Sequence, residues 1–133
     1  TVRVIHQGLS FLRGRNKGRI VILSHDLATS GIPGEGVNAL ARTGLLQFVH
    51  SLSREVASQN ICVNALCIGV SEEYLLSHYP DRQTLTEALD ELKTQLPHAR
   101  MIDPTEVASA VTFLVSPLSS GITGQNIKIT GGM

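Results

Sequence analysis

The sequence predicts an α/β fold on a parallel sheet, and three observations carry that reading. Two short apolar runs rich in branched residues, Arg19-Ile-Val-Ile-Leu-Ser24 and Ile61-Cys-Val-Asn-Ala-Leu66, flank the stretch from Gly34 to Ala57. In that stretch Leu45, Val49, Leu52 and Val56 recur at helical spacing with Ala41 and Phe48 beside them, while Arg42, Gln47, Arg54 and Glu55 fall largely elsewhere. Near the end, Asn126-Ile-Lys-Ile-Thr130 alternates as an edge strand does. Strand, long helix, strand is a crossover unit, so the first two strands run parallel. The expected strands are 19–24, 61–66 and 125–130.

Taken in order, Thr1 to about Arg15 reads as a helix with an apolar side (Val2, Val4, Ile5, Leu9, Phe11, Leu12) that needs covering. Arg13, Arg15, Lys17 and Arg19 gather at its carboxyl end, where positive charge suits the helix dipole. Gly18 breaks it, and the strand that follows shows no polar alternation, which predicts cover on both faces. Ser24 to Gly36 is a polar, Gly-rich loop at a strand's carboxyl end, where open α/β sheets hold ligands. After the central helix and second strand come Cys67 to Ser71, a helical stretch Glu72–His78, and Thr84–Leu96 with Leu85, Leu89, Leu92 and Leu96 as its stripe. Asp103-Pro104-Thr105-Glu106 signals a helix start: an N-cap, a first-turn proline and a glutamate three residues after the cap. Val107, Ala110, Val111 and Leu114 form its buried side and Pro117 stops it.

Composition narrows the function classes. The 133 residues, 42% hydrophobic, make one domain able to bury a core. Eleven basic against 11 acidic residues give a net charge of zero, which argues against a nucleic acid or an anionic membrane held by bulk charge. At 4% aromatics, base-stacking platforms are not expected either. No apolar run is long enough to span a bilayer, and no signal-peptide pattern opens the chain, so a cytoplasmic or other reducing soluble compartment is expected. Cys62 and Cys67 lie too far apart along an extended chain to bridge, and two buried thiols are expected. The chain opens without a methionine and in the middle of a helical pattern, as a fragment would.

The segments GRIVILS, SLSREVASQNICVNAL and DPTEVASAVTFLVSPLSSGITGQNIKITGG resemble the carboxy-terminal half of a short-chain dehydrogenase/reductase, in particular 3-oxoacyl-[acyl-carrier-protein] reductases. The resemblance implies the carboxy-terminal half of a doubly wound, Rossmann-like parallel sheet, one partial domain over 1–133 without the cofactor-binding half. It also implies hydride transfer between a nicotinamide and a carbonyl, with a Tyr moving the proton, a Lys four residues on tuning it, and a Ser polarising the carbonyl. Counted along the resemblance, the Tyr position falls on Asn38, the Lys position on Arg42, and the Ser position on His25, with Ser24 one place before it. Asn has no titratable proton, and Arg keeps the charge and a reach to a ribose without a phenol to tune. Tyr74 and Tyr79 do not restore the pattern, since His78 and Gln83 stand four positions on. A Pro-Gly pair that closes over the nicotinamide in the resembling family is Ile68-Gly69 here.

The expected sites are therefore His25, Asn38 and Arg42 at the family's catalytic positions, and Arg42, Ile68 and Gly69 at its cofactor positions. His25, beside Asp26, is the one group that titrates near neutrality among them. The five histidines never pair at ligand spacing and the cysteines form no C-x-x-C, so no metal is expected. A dinucleotide needs a first strand and a Gly-rich turn that this chain lacks, so no cofactor is expected for the chain alone, and NAD(P) for an active full-length form. The resemblance implies an oligomer, through the first and central helices and the last strand, with copies of itself or a homologous reductase subunit. It also implies an acyl carrier protein at the basic end of the first helix. Three readings stand: a reductase-like domain that has lost catalysis and acts by association, part of a working oxidoreductase with substituted residues, or a binding domain for a small ligand or acyl group.

Overall fold

A computed structural model describes residues 1–15, 17–26, 34–71 and 81–133; within 82–95, the side chains of residues 82, 85, 88, 91–93 and 95 lie outside the description. The elements are α1 (Val2–Arg13), β1 (Gly18–His25), α2 (Gly36–Val56), β2 (Ile61–Ile68), α3 (Arg82–Gln95), α4 (Pro104–Val115) and β3 (Asn126–Ile129), with single 3-10 turns at Ala57–Gln59 and Pro117–Ser119. The strands form one sheet in the order β1-β2-β3, parallel throughout. Gly18 stands opposite Ile61 and His25 opposite Ile68, while Ala65 to Ile68 stand opposite Asn126 to Ile129. The fold is the expected α/β half-sheet, with β1 and β2 longer than read from the sequence and β3 shorter. The helical reading of 72–78, with Tyr74 and Tyr79, falls outside the described residues.

Alternation sorts β2 between two layers. Ile61, Val63, Ala65 and Cys67 join Ile5 and Leu9 of α1, Ile22 of β1, and Leu46, Val49, Leu52 and Val56 of α2 in one core. On α2 Val49, Leu52 and Val56 are buried as predicted, while at the start of the stripe the buried position is Leu46, with Leu45 half-buried and Ala41 exposed. Adjacent leucines satisfy helical spacing equally well, and contact with β2 selects between them. α1 ends at Arg13 with Gly14 as its cap, so Gly18 begins β1 rather than breaking the helix.

β1 is not covered on both faces. Gly18 to Val21 are half-buried, and Leu23, on the face away from the core that holds Ile22, is 55% exposed. Among the described residues β3 is an edge strand, as its alternation predicts, and β1 is the other edge.

The closing ITGQ stretch is a strap on β2. Asn64, buried, donates from its side-chain Nδ2 to the Ile122 carbonyl at 2.8 Å and accepts from the Gln125 N–H at 3.0 Å. Thr123 Oγ1 accepts from the Val63 N–H, and the Gly124 N–H donates to the Val63 carbonyl. Gly124 has φ +71, and a Cβ there would lie 2.6 Å from Ser53 Oγ, so the motif needs glycine for conformation and for space.

Asp103 caps α4 as predicted. Its carboxylate accepts from the Thr105 N–H, Glu106 accepts from the Asp103 N–H, and Arg100 grips Glu106 with two bonds of 2.8 Å. α3 starts two residues earlier than predicted because Asp81 accepts from the Thr84 N–H.

Candidate functional site

The carboxyl ends of the three strands are staggered and tied together. The Asp26 N–H donates to the Ile68 carbonyl at 2.9 Å, and the Gly69 N–H donates to the Ile129 carbonyl at 2.9 Å. At Gly69 a Cβ would stand 3.0 Å from Thr130 Cα, so glycine lets the two chain segments pack closely here. Ile68 beside it lines, with Ser71, Ile102, Pro104 and Val107, an apolar pocket of about 260 Å³.

One ion pair crosses this end of the sheet. Asp26, 2% exposed, sits where β1 ends, and its Oδ1 lies 2.9 Å from Nζ of Lys128 on β3. Cys67, fully buried on the intervening strand, stands in register with both Ser24 and Lys128. Burial pushes the Cys67 thiol up and the Asp26 carboxylate adds to it, with Lys128 opposing. A thiol so placed is a poor nucleophile. Ser24, buried in the same row, has a hydroxyl with no hydrogen-bond partner among the described residues.

The three positions singled out in the sequence lie on two elements. His25 is half-buried at the end of β1, and the residues that follow Asp26, 27–33, lie outside the description. Asn38 and Arg42 fall on the first two turns of α2, Asn38 exposed and Arg42 half-buried. Their i, i+4 spacing puts them on one helix face. The Asn38 side chain donates from Nδ2 to Glu35 Oε2 at 2.6 Å. Asp26, the neighbour of His25 in sequence, directs Oδ1 at Lys128.

Sequence reasoning missed Glu35 and Lys128. Glu35 is the N-cap of α2 without capping through its side chain, and its spacing to Asn38 of one turn was the available signal. Lys128 lay inside an alternating strand, where a lysine reads as the solvent-facing position.

These residues do not fit a dinucleotide's pyrophosphate. A phosphate cradle uses free N–H groups at a helix start, whereas the start of α2 presents the Glu35 carboxylate. No group of three or more His, Cys, Asp and Glu able to hold a metal occurs among the described residues. No described helix is long and apolar enough to cross a membrane. At the opposite end of β1, Arg15, Lys17 and Arg19 line a groove of about 420 Å³ with Leu12, Val115 and Pro117.

The arrangement has close relatives among known proteins. The 3-oxoacyl-[acyl-carrier-protein] reductase of Vibrio cholerae is 38% identical over 126 residues, covering 92% of this chain and 49% of that protein. The Escherichia coli protein of the same name is 34% identical over 119 residues, covering 90% of this chain and 47% of that one. Thus the chain spans about half the length of the curated relatives it matches. The actinorhodin polyketide ketoreductase, solved with NADPH, superposes with a TM-score of 0.81 at 30% identity, over 90% of this chain and 48% of that one. An NADPH-bound short-chain oxidoreductase from Pseudomonas aeruginosa, described as containing an atypical catalytic center, gives 0.78 at 33% identity, over 94% and 49%. The family model described as enoyl-(acyl carrier protein) reductase matches residues 1–133. By that match, and by the reductases it resembles in sequence and structure, the chain belongs to the short-chain dehydrogenase/reductase family.

Proposed function

We propose that this chain is the carboxy-terminal half of a reductase fold that no longer runs the family's proton relay and acts by association, as a subunit beside copies of itself or a homologous reductase. One observation carries the reading: at the position expected for the phenol, Asn38 donates its amide to Glu35 and has no proton to exchange with a carbonyl oxygen. Arg42 keeps a positive charge one turn on, without a phenol to act on. The exposed apolar residues Val2, Val4 and Phe11 of α1, and Val37 and Leu40 of α2, support association through these helices. The basic groove at Arg15, Lys17 and Arg19 suits an acidic partner such as an acyl carrier protein. The test is NADPH oxidation by the longest natural form with a 3-oxoacyl thioester, with its mass measured by light scattering. An assembly without turnover is expected, and turnover at enzymatic rates overturns the reading.

A second reading is favoured by the similarity to the NADPH-bound oxidoreductase with an atypical catalytic center. Here the chain contributes to a working NAD(P)-dependent reductase whose cofactor cradle lies in an amino-terminal half, and Glu35 or His25 holds the proton. Replacement of Glu35 by Gln then abolishes turnover, and replacement of His25 by Phe does so if the imidazole is the donor.

A further inference from the structure

Three cations gather at the amino-terminal end of the sheet, away from the strand ends that hold His25 and Gly69. Arg15, Lys17 and Arg19 line a groove of about 420 Å³ between the ends of α1 and α4. Leu12, Val115 and Pro117 form its apolar wall, and no acidic residue is among the described residues that line it. None of the three cations forms an ion pair among the described residues. Arg19 donates from Nη1 to the carbonyl of Gly18, the residue before it, and its Nε is buried without a partner among the described residues.

Neither bulk charge nor a helix end accounts for this cluster. The chain carries 11 basic and 11 acidic residues, so the local excess is not a reflection of the whole. Arg13, in the last turn of α1, already places a cation at that carboxyl terminus, and Arg15, Lys17 and Arg19 follow the helix. Like charges around one groove repel until an anion joins them. Their number selects the anion. A carboxylate brings one negative charge, whereas a phosphate monoester brings about 1.5 to 2 at pH 7 and three acceptor oxygens. Guanidinium forks take such oxygens in pairs, and a lysine adds a point charge. The apolar wall suits the carbon that carries the phosphate.

We propose that this groove is a binding site for a small phosphate monoester. It lies roughly 25 Å from the strand carboxyl ends, the length of the eight residues of β1. The phosphate sits among Arg15, Lys17 and Arg19, and a turn of the Arg19 guanidinium toward it gives Nε an acceptor. This goes beyond the acidic partner invoked above: an acidic protein surface meets exposed cations from outside, whereas this ligand enters the groove and needs no carrier protein. The site does not depend on whether the fold is active.

The experiment is a titration of the longest natural form with phenyl phosphate, read by calorimetry and by amide shifts. Benzoate, the same ring with one charge, is the control at matched ionic strength. Saturable binding with shifts at Lys17, Gly18, Arg19 and Asn60 is expected, and benzoate should bind about tenfold or more weakly. Arg15→Ala with Lys17→Ala changes two exposed positions, and should weaken phenyl phosphate by about tenfold or more without lowering the melting temperature. The proposal is overturned by absent saturation, by equal binding of benzoate, by shifts confined to Ser24, His25 and Gly69, or by a double variant that binds like the parent. An acyl carrier protein lacking its prosthetic group is a further arm. If it shifts these amides and phenyl phosphate does not, the site is a protein-docking surface; the proposal falls and the acidic partner stands. Turnover by a form that binds phenyl phosphate here sinks the inactive reading and leaves the site in place.

Discussion

Asp26 and Lys128, the first just beyond β1 and the second on β3, pair at 2.9 Å across the strand that separates them. The pair ties both edges of the sheet over the buried Cys67. Removing the lysine takes the cation at 2.9 Å from a carboxylate that is 2% exposed, whereas removing the carboxylate leaves a lysine that is 46% exposed. Lys128→Met is therefore expected to cost more than Asp26→Asn, about 2–3 kcal/mol after allowing for the exposed lysine. The double variant recovers part of that loss. Urea unfolding of the four proteins measures the cycle, and strictly additive losses contradict the pairing.

Cys62 and Cys67 are both buried and unbridged. Burial and the Asp26 charge hold the Cys67 thiol above its ordinary range, so an aromatic disulfide reagent at pH ~8 is expected to leave it unmodified until unfolding. In Asp26→Asn the thiol loses a negative charge that holds it up, and any labelling seen should quicken rather than slow.

The Asn64 side chain holds two backbone groups of the ITGQ strap, the Ile122 carbonyl and the Gln125 N–H. Asn64→Leu leaves both unpaired and is expected to destabilise by roughly 2–4 kcal/mol. Gly124→Ala meets Ser53 Oγ as well as an unfavourable φ, and Gly124→Ala with Ser53→Gly should recover only the steric part. Thermal unfolding decides it; a neutral Asn64→Leu would mean the strap is held elsewhere.

Glu106 is held down to about 2, first by the Arg100 guanidinium and then by the Asp103 N–H. Because the folded value lies below that of an unfolded glutamate, about 4.3, the stabilisation is present above that pH and is lost as pH falls toward the folded value. Arg100→Ala should raise the carboxyl toward its ordinary range and let the first turn of α4 fray at a higher pH. The side-chain carbon shift of Glu106 against pH reads this directly; an unmoved midpoint contradicts the guanidinium as the main cause.

What was legible in the sequence was what is local. The capping box at Asp103 and Glu106 is encoded within four residues, and the strands flanking α2 are set by apolar runs. On α2 the stripe Val49, Leu52 and Val56 was legible, and only its first position was misplaced, because Leu45 and Leu46 are adjacent and packing on β2 tells them apart. Asp26 with Lys128 was not legible, since the partners meet only through the order of the strands. The exposure of Leu23 escaped too: a run of Ile, Val and Leu says that cover is wanted, and only tertiary packing says which side chains receive it. At the site, spacing located Asn38 and Arg42 on one face of α2, while the Glu35 contact needed a rotamer.

The central claim is that the fold persists without the family's cofactor-dependent relay. Asn38 is exposed and Arg42 half-buried, so Asn38→Tyr with Arg42→Lys should leave the melting temperature nearly unchanged and serves as the control for fold. The most direct measurement is a calorimetric titration of the longest natural form with NADPH and with NADH, run beside light scattering. The account predicts no saturable binding by an assembly of two or more chains. Binding in the micromolar range would contradict it and return the oxidoreductase reading to first place.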